Sequence, residues 1–203
     1  MENKFKKIAK AVALGLALIF TFSCFDSDDD GDDLVSSCNI SDYRAVEIGS
    51  QTWMAKNLNC NVSGSKCYDN KESNCNKYGR LYDWETAKRL CSNGWHLPSD
   101  AEWHILVNFA GGEEVAGKKL KAKSGWHSNG TGTDAYGFAA LPGGWAKPDS
   151  FYVIGEYGGW WSSTSGTVYD FIGDFWEMFF ADTEVNWGWG DGDEFFSVRC
   201  VQD

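Results

Sequence analysis

The chain has 203 residues, 43% of them hydrophobic, and 29 acidic against 18 basic side chains give it a net charge of −11. That length suits one domain with flanking segments. So acidic a balance excludes a nucleic-acid binder, which needs a basic face.

The N-terminus reads as an export signal. Lys4, Lys6, Lys7 and Lys10 precede an apolar run of 12 residues, Ala11–Phe22. The run falls short of the ~20 residues of a spanning helix and has the flanks of a signal peptide over residues 1–23. Cys24 follows Ser23 and resembles the lipidated cysteine of bacterial lipoproteins; the plainer alternative is a cleaved signal with a spare thiol. Without residues 1–23, which carry four lysines and one glutamate, the net charge is −14. The stretch FDSDDDGDD, Phe25–Asp33, is too charged and too poor in apolar residues to order itself, so residues 24–37 are expected to form a solvated tether. No later segment resembles a transmembrane helix.

Six cysteines remain in the domain expected over residues 38–203: Cys38, Cys60, Cys67, Cys75, Cys91 and Cys200. An even number in an exported chain predicts three disulfides, of open connectivity. No two lie closer than seven residues, which argues against a zinc site of the C-x-x-C kind.

In chain order, Tyr43–Gly49 and Gln51–Ala55 predict a hairpin turning near Gly49–Ser50. Asp83–Cys91 has Trp84, Ala87, Leu90 and Cys91 at helical spacing with Asp83 as cap. In SDAEWHILVNFAGG, Ser99 and Glu102 form a capping box, Trp103, Leu106, Val107 and Ala110 make one apolar stripe, and Gly111 suits the left-handed stop. Glu113–Ala122 predicts a short further helix. From Trp126 onward the pattern is short aromatic and β-branched runs parted by glycine, hence strands and long loops. Helices early and an antiparallel sheet late define an α+β fold.

The motifs QTWMAKNLN, CYDNKESNCNKYGRLYDWETAK, CSNGWHLPSDAEW, GKKLKAKSGW, GTDAYGFAALPGGW, YGGWWSSTS and FSVRCV, in that order, resemble the Fibrobacter succinogenes major paralogous domain from about Tyr43 onward. WHLPSDAEW and VRCV are more distantly similar to formylglycine-generating-enzyme-like domains. The resemblance implies a C-type-lectin-like fold: two main helices on a small twisted antiparallel sheet, chain ends together, long loops on one side. By the same analogy it implies Cys91–Cys200, a local Cys67–Cys75 staple, and Cys38–Cys60 around the hairpin.

GWHLPSDAEWH looks like an active site, with His96 and His104 beside Asp100 and Glu102. A structural reading is favoured. Glu102 is used in the cap, His96 is placed to bond a backbone carbonyl, and His104 lies off the apolar stripe facing solvent. No G-x-S-x-G or H-E-x-x-H motif accompanies them, and the cysteines are committed to disulfides. The copper chemistry of the formylglycine-generating relatives needs two close cysteines near the C-terminus, where only Cys200 stands. No catalytic residue is expected.

In lectin-like folds the loops before the last strand form the ligand face, here Tyr169–Phe196. This region holds Trp176, Trp187 and Trp189 with Asp182, Glu184, Asn186, Asp191, Asp193 and Glu194. Flat rings beside carboxylates and amides suit sugars, whose C–H faces stack while hydroxyls take directed hydrogen bonds. Trp187 and Trp189 fall on one side of an extended chain, whereas Trp160 and Trp161 are expected in the core. Asp191, Asp193 and Glu194 offer oxygen ligands to calcium, but a solvated acidic loop is the favoured reading and no cofactor is expected.

The expectation is therefore a non-enzymatic cell-surface lipoprotein that binds an extracellular polysaccharide, such as plant cell wall, or a surface protein. It would meet the membrane through its lipid anchor only. An enzyme or enzyme accessory on a formylglycine-generating-like scaffold, or a structural envelope protein, are the alternatives.

Overall fold

The structure, a computed structural model, describes residues 38–165 and 172–203. The expected signal, Cys24 and the tether lie outside these residues, as do Tyr169 and its neighbours.

The hairpin forms as read: β1 (Ala45–Ile48) pairs with β2 (Gln51–Met54) from Ala45↔Met54 to Ile48↔Gln51. Two short helices follow, α1 (Glu72–Tyr78) and α2 (Trp84–Leu90), the second capped by Asp83, whose carboxylate accepts from Thr86 N–H. The two-residue strand β3 (Trp95–His96) leads into α3 (Asp100–Phe109). Its capping box is complete: the Ser99 hydroxyl accepts from Glu102 N–H, and the Glu102 carboxylate accepts from Ser99 N–H at 2.8 Å. Gly111, at φ +112, ends it. Then come α4 (Glu113–Leu120), the hairpin β4 (Trp145–Lys147) and β5 (Ser150–Tyr152), the meander β6 (Tyr157–Ser165), β7 (Ile172–Phe179) and β8 (Asn186–Asp191), and finally β9 (Val201–Gln202).

The α+β class holds. The two main helices and the short one over Glu113–Leu120 form as read, and a fourth among the described residues is Glu72–Tyr78, read as a stapled loop, which buries only Cys75 and Tyr78. The first sheet has the order β1-β2-β9-β3, so the C-terminal strand lies between N-terminal ones. The disulfides are Cys38–Cys60, Cys67–Cys75 and Cys91–Cys200, the pairs the resemblance implies.

Alternation along strands divides the core in two. Trp53, Trp160 and Val201 point into one cluster, with Trp103, Leu106, Phe138 and Trp176; their neighbours Met54, Trp161 and Cys200 point into the other, with Tyr82, Trp84 and Phe196. Two buried cations tie loops to this frame. Lys121 donates to the carbonyls of Phe179 and Asp182 and lies over the Trp126 ring. Arg199, wholly buried, donates to Asn57 Oδ1 and to the carbonyls of Met54, Phe138 and Ala139. Burial draws its pKa down to about 9, with Asp134 opposing.

Candidate functional site

Strands β6, β7 and β8 align Trp160, Trp176 and Trp187 in one cross-strand row. Residues directly opposite in antiparallel pairs share a face, so all three indoles lie on the same side of the sheet. The helix α3 covers only part of that side. Trp176 is buried, stacked on Trp103 with ring centroids 5.9 Å apart and met edge-on by His104 at 4.8 Å. Trp187 and Trp189 run past the cover and are 54% and 65% exposed. They are the two most exposed large apolar side chains among the described residues.

This geometry corrects part of the expected ligand set. Trp176 belongs to the core, and its indole Nε1 donates to Asp100 Oδ1 at 2.9 Å. Asn186 is exposed but alternates onto the face opposite the two tryptophans. Asp191, two residues beyond Trp189, remains on their side at the end of β8. Glu184 is exposed in the turn before β8, held by its own N–H donating to Asp182 Oδ1 and by Val185 N–H donating to the Glu113 carbonyl.

Asp100 and Asp174 join the site, and sequence reading missed both. Asp174 stands opposite Trp189 in the β7–β8 ladder and is almost fully buried. Its carboxyl is hydrogen-bonded to that of Asp100; burial first, and the Asp100 carboxylate second, push its pKa up to about 6. Two carboxylates in contact cannot both ionise cheaply, so the pair keeps a proton up to about pH 6. Asp100 is further fixed by its N–H, which donates to Thr164 Oγ1 at 3.0 Å. An aromatic pair thus stands beside a carboxyl pair that gains a donor only below about pH 6. The available signal was the alternation of Asp174 with Trp176 and of Trp187 with Trp189; the partner across the helix had none.

One of the two histidines is placed otherwise than expected. His96 bonds two carboxylates rather than a carbonyl: Nδ1 to Asp203 Oδ1 and Nε2 to Glu102 Oε1, both at 2.6 Å. Burial opposes charge on the ring, but these hydrogen bonds outweigh it and raise its pKa above the ordinary value. Glu102 is likewise lowered, its bonds to Ser99 and His96 overcoming burial. With both ring nitrogens occupied, His96 clamps the C-terminus to the start of α3. His104 is half exposed, with Nδ1 4.0 Å from Glu113, and touches the buried Trp176 rather than facing solvent alone.

Among the described residues, the side chains close enough for a common ion are Cys67, Glu72 and Cys75, and both sulfurs are spent in a disulfide. Glu194, one of the residues considered for calcium, pairs instead with Lys147 at 3.4 Å.

No curated protein and no solved structure matches the chain. Residues 46–202 match the family described as the Fibrobacter succinogenes major domain, a stretch that holds all of the first core cluster and all of the second but Cys38 and Ile40. The chain is a member of the Fibrobacter succinogenes major domain family.

Proposed function

We propose that this chain is a non-enzymatic binding module that holds an extracellular polysaccharide on Trp187 and Trp189. The observation that carries it is the exposure of two large rings on a sheet face whose neighbouring Trp160 and Trp176 are buried. An exposed aromatic patch with a fixed floor usually has a partner, and sugars suit a ring flanked by hydrogen-bonding carboxyls. Asp191 supplies an exposed carboxylate beside them, and the buried Asp100–Asp174 pair lies in the floor beneath.

A binding role fits the carboxyl pair better than hydrolysis does. Glycosidases space their two carboxyls about 5–9.5 Å apart, whereas these two touch. The remainder of the proposal is export and anchoring through Cys24, with the acidic tether holding the domain off the membrane.

The test is retention of the full-length oxidised protein on insoluble polysaccharides, with and without EDTA, beside a Trp187→Ala/Trp189→Ala variant. Retention that survives EDTA and falls at least tenfold in the variant is expected. Loss with EDTA would establish a calcium site instead. A folded protein retained by none of the polymers would overturn the reading and turn the search to a surface protein.

A further inference from the structure

Trp187 and Trp189 stand in a long stretch of a single sign. Between Lys147 and Arg199 there is no lysine, arginine or histidine, against ten aspartates and glutamates. All of β6, β7 and β8 fall in this stretch, and the covering helix α3 adds Asp100 and Glu102 with no lysine or arginine.

The carboxylates of the meander have no cation of the protein against them. Among the described residues, none of Asp174, Glu177, Asp182, Glu184 and Asp191 is within ion-pair distance of a lysine, arginine or histidine. Asp191 shares the face of the two rings, Asp174 stands opposite Trp189, and Asp182 and Glu184 occupy the turn that leads into β8. The lysines of the adjoining α4 are engaged elsewhere. Lys118 Nζ donates to the Thr131 carbonyl, Lys119 reaches Gly111, and Lys121 is buried on the carbonyls of Phe179 and Asp182.

The rings themselves are a second observation. Elsewhere this protein sets its own cations over aromatic faces: Lys88 over Trp84 at 3.9 Å, Lys121 over Trp126 at 4.8 Å and Arg199 over Phe138 at 4.3 Å. No lysine or arginine among the described residues lies over Trp187 or Trp189, although these are the most exposed rings. An indole face is electron-rich and attracts an ammonium, and a carboxylate beside it accepts from the same N–H donors. Carboxylates without partners on one side of a sheet also concentrate cations there and repel anions. A polymer of uronic acids is therefore disfavoured. A neutral glucan would use the rings and leave the charge unanswered.

We propose that the tryptophan face takes a polysaccharide carrying free amino groups, of the glucosamine class. The C–H faces of its rings stack on Trp187 and Trp189, and its ammonium groups meet Asp191 and the indole faces. This rests on the reading of the face as a sugar site and names the class of sugar.

The test is calorimetric titration of the full-length oxidised protein at about pH 6 and about 0.15 M salt. There carboxylates and amines are both charged and long-range attraction is screened. The probes are the glucosamine hexamer, its N-acetylated counterpart, cellohexaose, a galacturonate hexamer and hexalysine. The glucosamine hexamer should bind at about 1 mM or tighter, and every other probe at least tenfold more weakly. Trp187→Ala/Trp189→Ala should weaken it at least tenfold, and Asp191→Asn, which keeps the shape and removes the charge, about threefold. Circular dichroism and thermal melting confirm that each variant is folded. A neutral hexamer that binds as well, and is lost in the tryptophan variant, would overturn the amino-group selectivity and leave the sugar face standing. Hexalysine binding as tightly would overturn it in favour of a basic peptide. Affinity that survives in the tryptophan variant is general charge attraction and overturns it too. If the glucosamine hexamer fails to bind, the proposal falls, and retention on insoluble polysaccharides then tells whether the sugar face falls with it.

Discussion

Trp176 and Trp187 face each other across the β7–β8 ladder, yet one is buried and the other is more than half exposed. The difference lies in α3, which brings Trp103 and His104 over the first and stops short of the second. The same residue type in the same row is therefore core in one strand and surface in the next, and their substitutions should behave in opposite ways. Trp176→Ala should cost about 3–5 kcal/mol in urea unfolding, as large core truncations do. Trp187→Ala/Trp189→Ala should stay within about 1 kcal/mol of the parent while abolishing polysaccharide retention.

Stability should depend on pH through three groups. Folding raises the pKa of His96 and Asp174, so each contributes stability that is complete below its unfolded value, 6.5 and 3.8 respectively, and lost as pH rises through the folded one. For Asp174 that loss runs from about pH 4 to about pH 6. Glu102 is lowered, so its contribution is present above 4.5 and disappears as pH falls through its folded value. Melting temperature should thus peak between about pH 4 and 5 and decline toward pH 8. Asp174→Asn, which cannot ionise, should flatten the decline between about pH 4 and 6; an unchanged slope there would show that the carboxyl pair does not hold a proton.

The His96 clamp can be read directly. Nuclear magnetic resonance titration of its imidazole should give a pKa above the 6.5 of a free histidine. Asp203→Asn should move it down, and so should Glu102→Gln, which removes the other negative charge while its amide oxygen still accepts from Ser99 N–H in the cap. Since the ring is over a third exposed, water screens the pair, and Asp203→Asn should cost less than about 1 kcal/mol.

Disulfide removal should scale with loop length. Cys91 and Cys200 close 109 residues and Cys67 and Cys75 only eight. Replacing the first pair with serine should destabilise by about 4–5 kcal/mol and the second by less than about 3, measured by urea unfolding.

Local rules were enough for much of this. The Ser99–Glu102 cap, the Trp103–Ala110 stripe and the Gly49 turn depend on residues a few positions apart, and each forms as read. Period-two alternation likewise set Trp187 and Trp189 on one face. What alternation cannot tell is which of two like-facing positions another element will cover, so Trp176 was read with them. The carboxyl pair and the His96–Asp203 bond join residues 74 and 107 positions apart, and no periodicity encodes such meetings.

Strand β9 has only two residues, but it stands between β2 and β3 and carries the half-cystine next to it in sequence. No N-terminal fragment that stops short of Arg199 can join the two halves of that sheet, close the Cys91 bridge or seat that arginine among its carbonyls. Synthesis therefore delivers the keystone after everything it locks. Until Arg199 to Gln202 are present, the joined sheet, the long bridge and the seated guanidinium are all missing together.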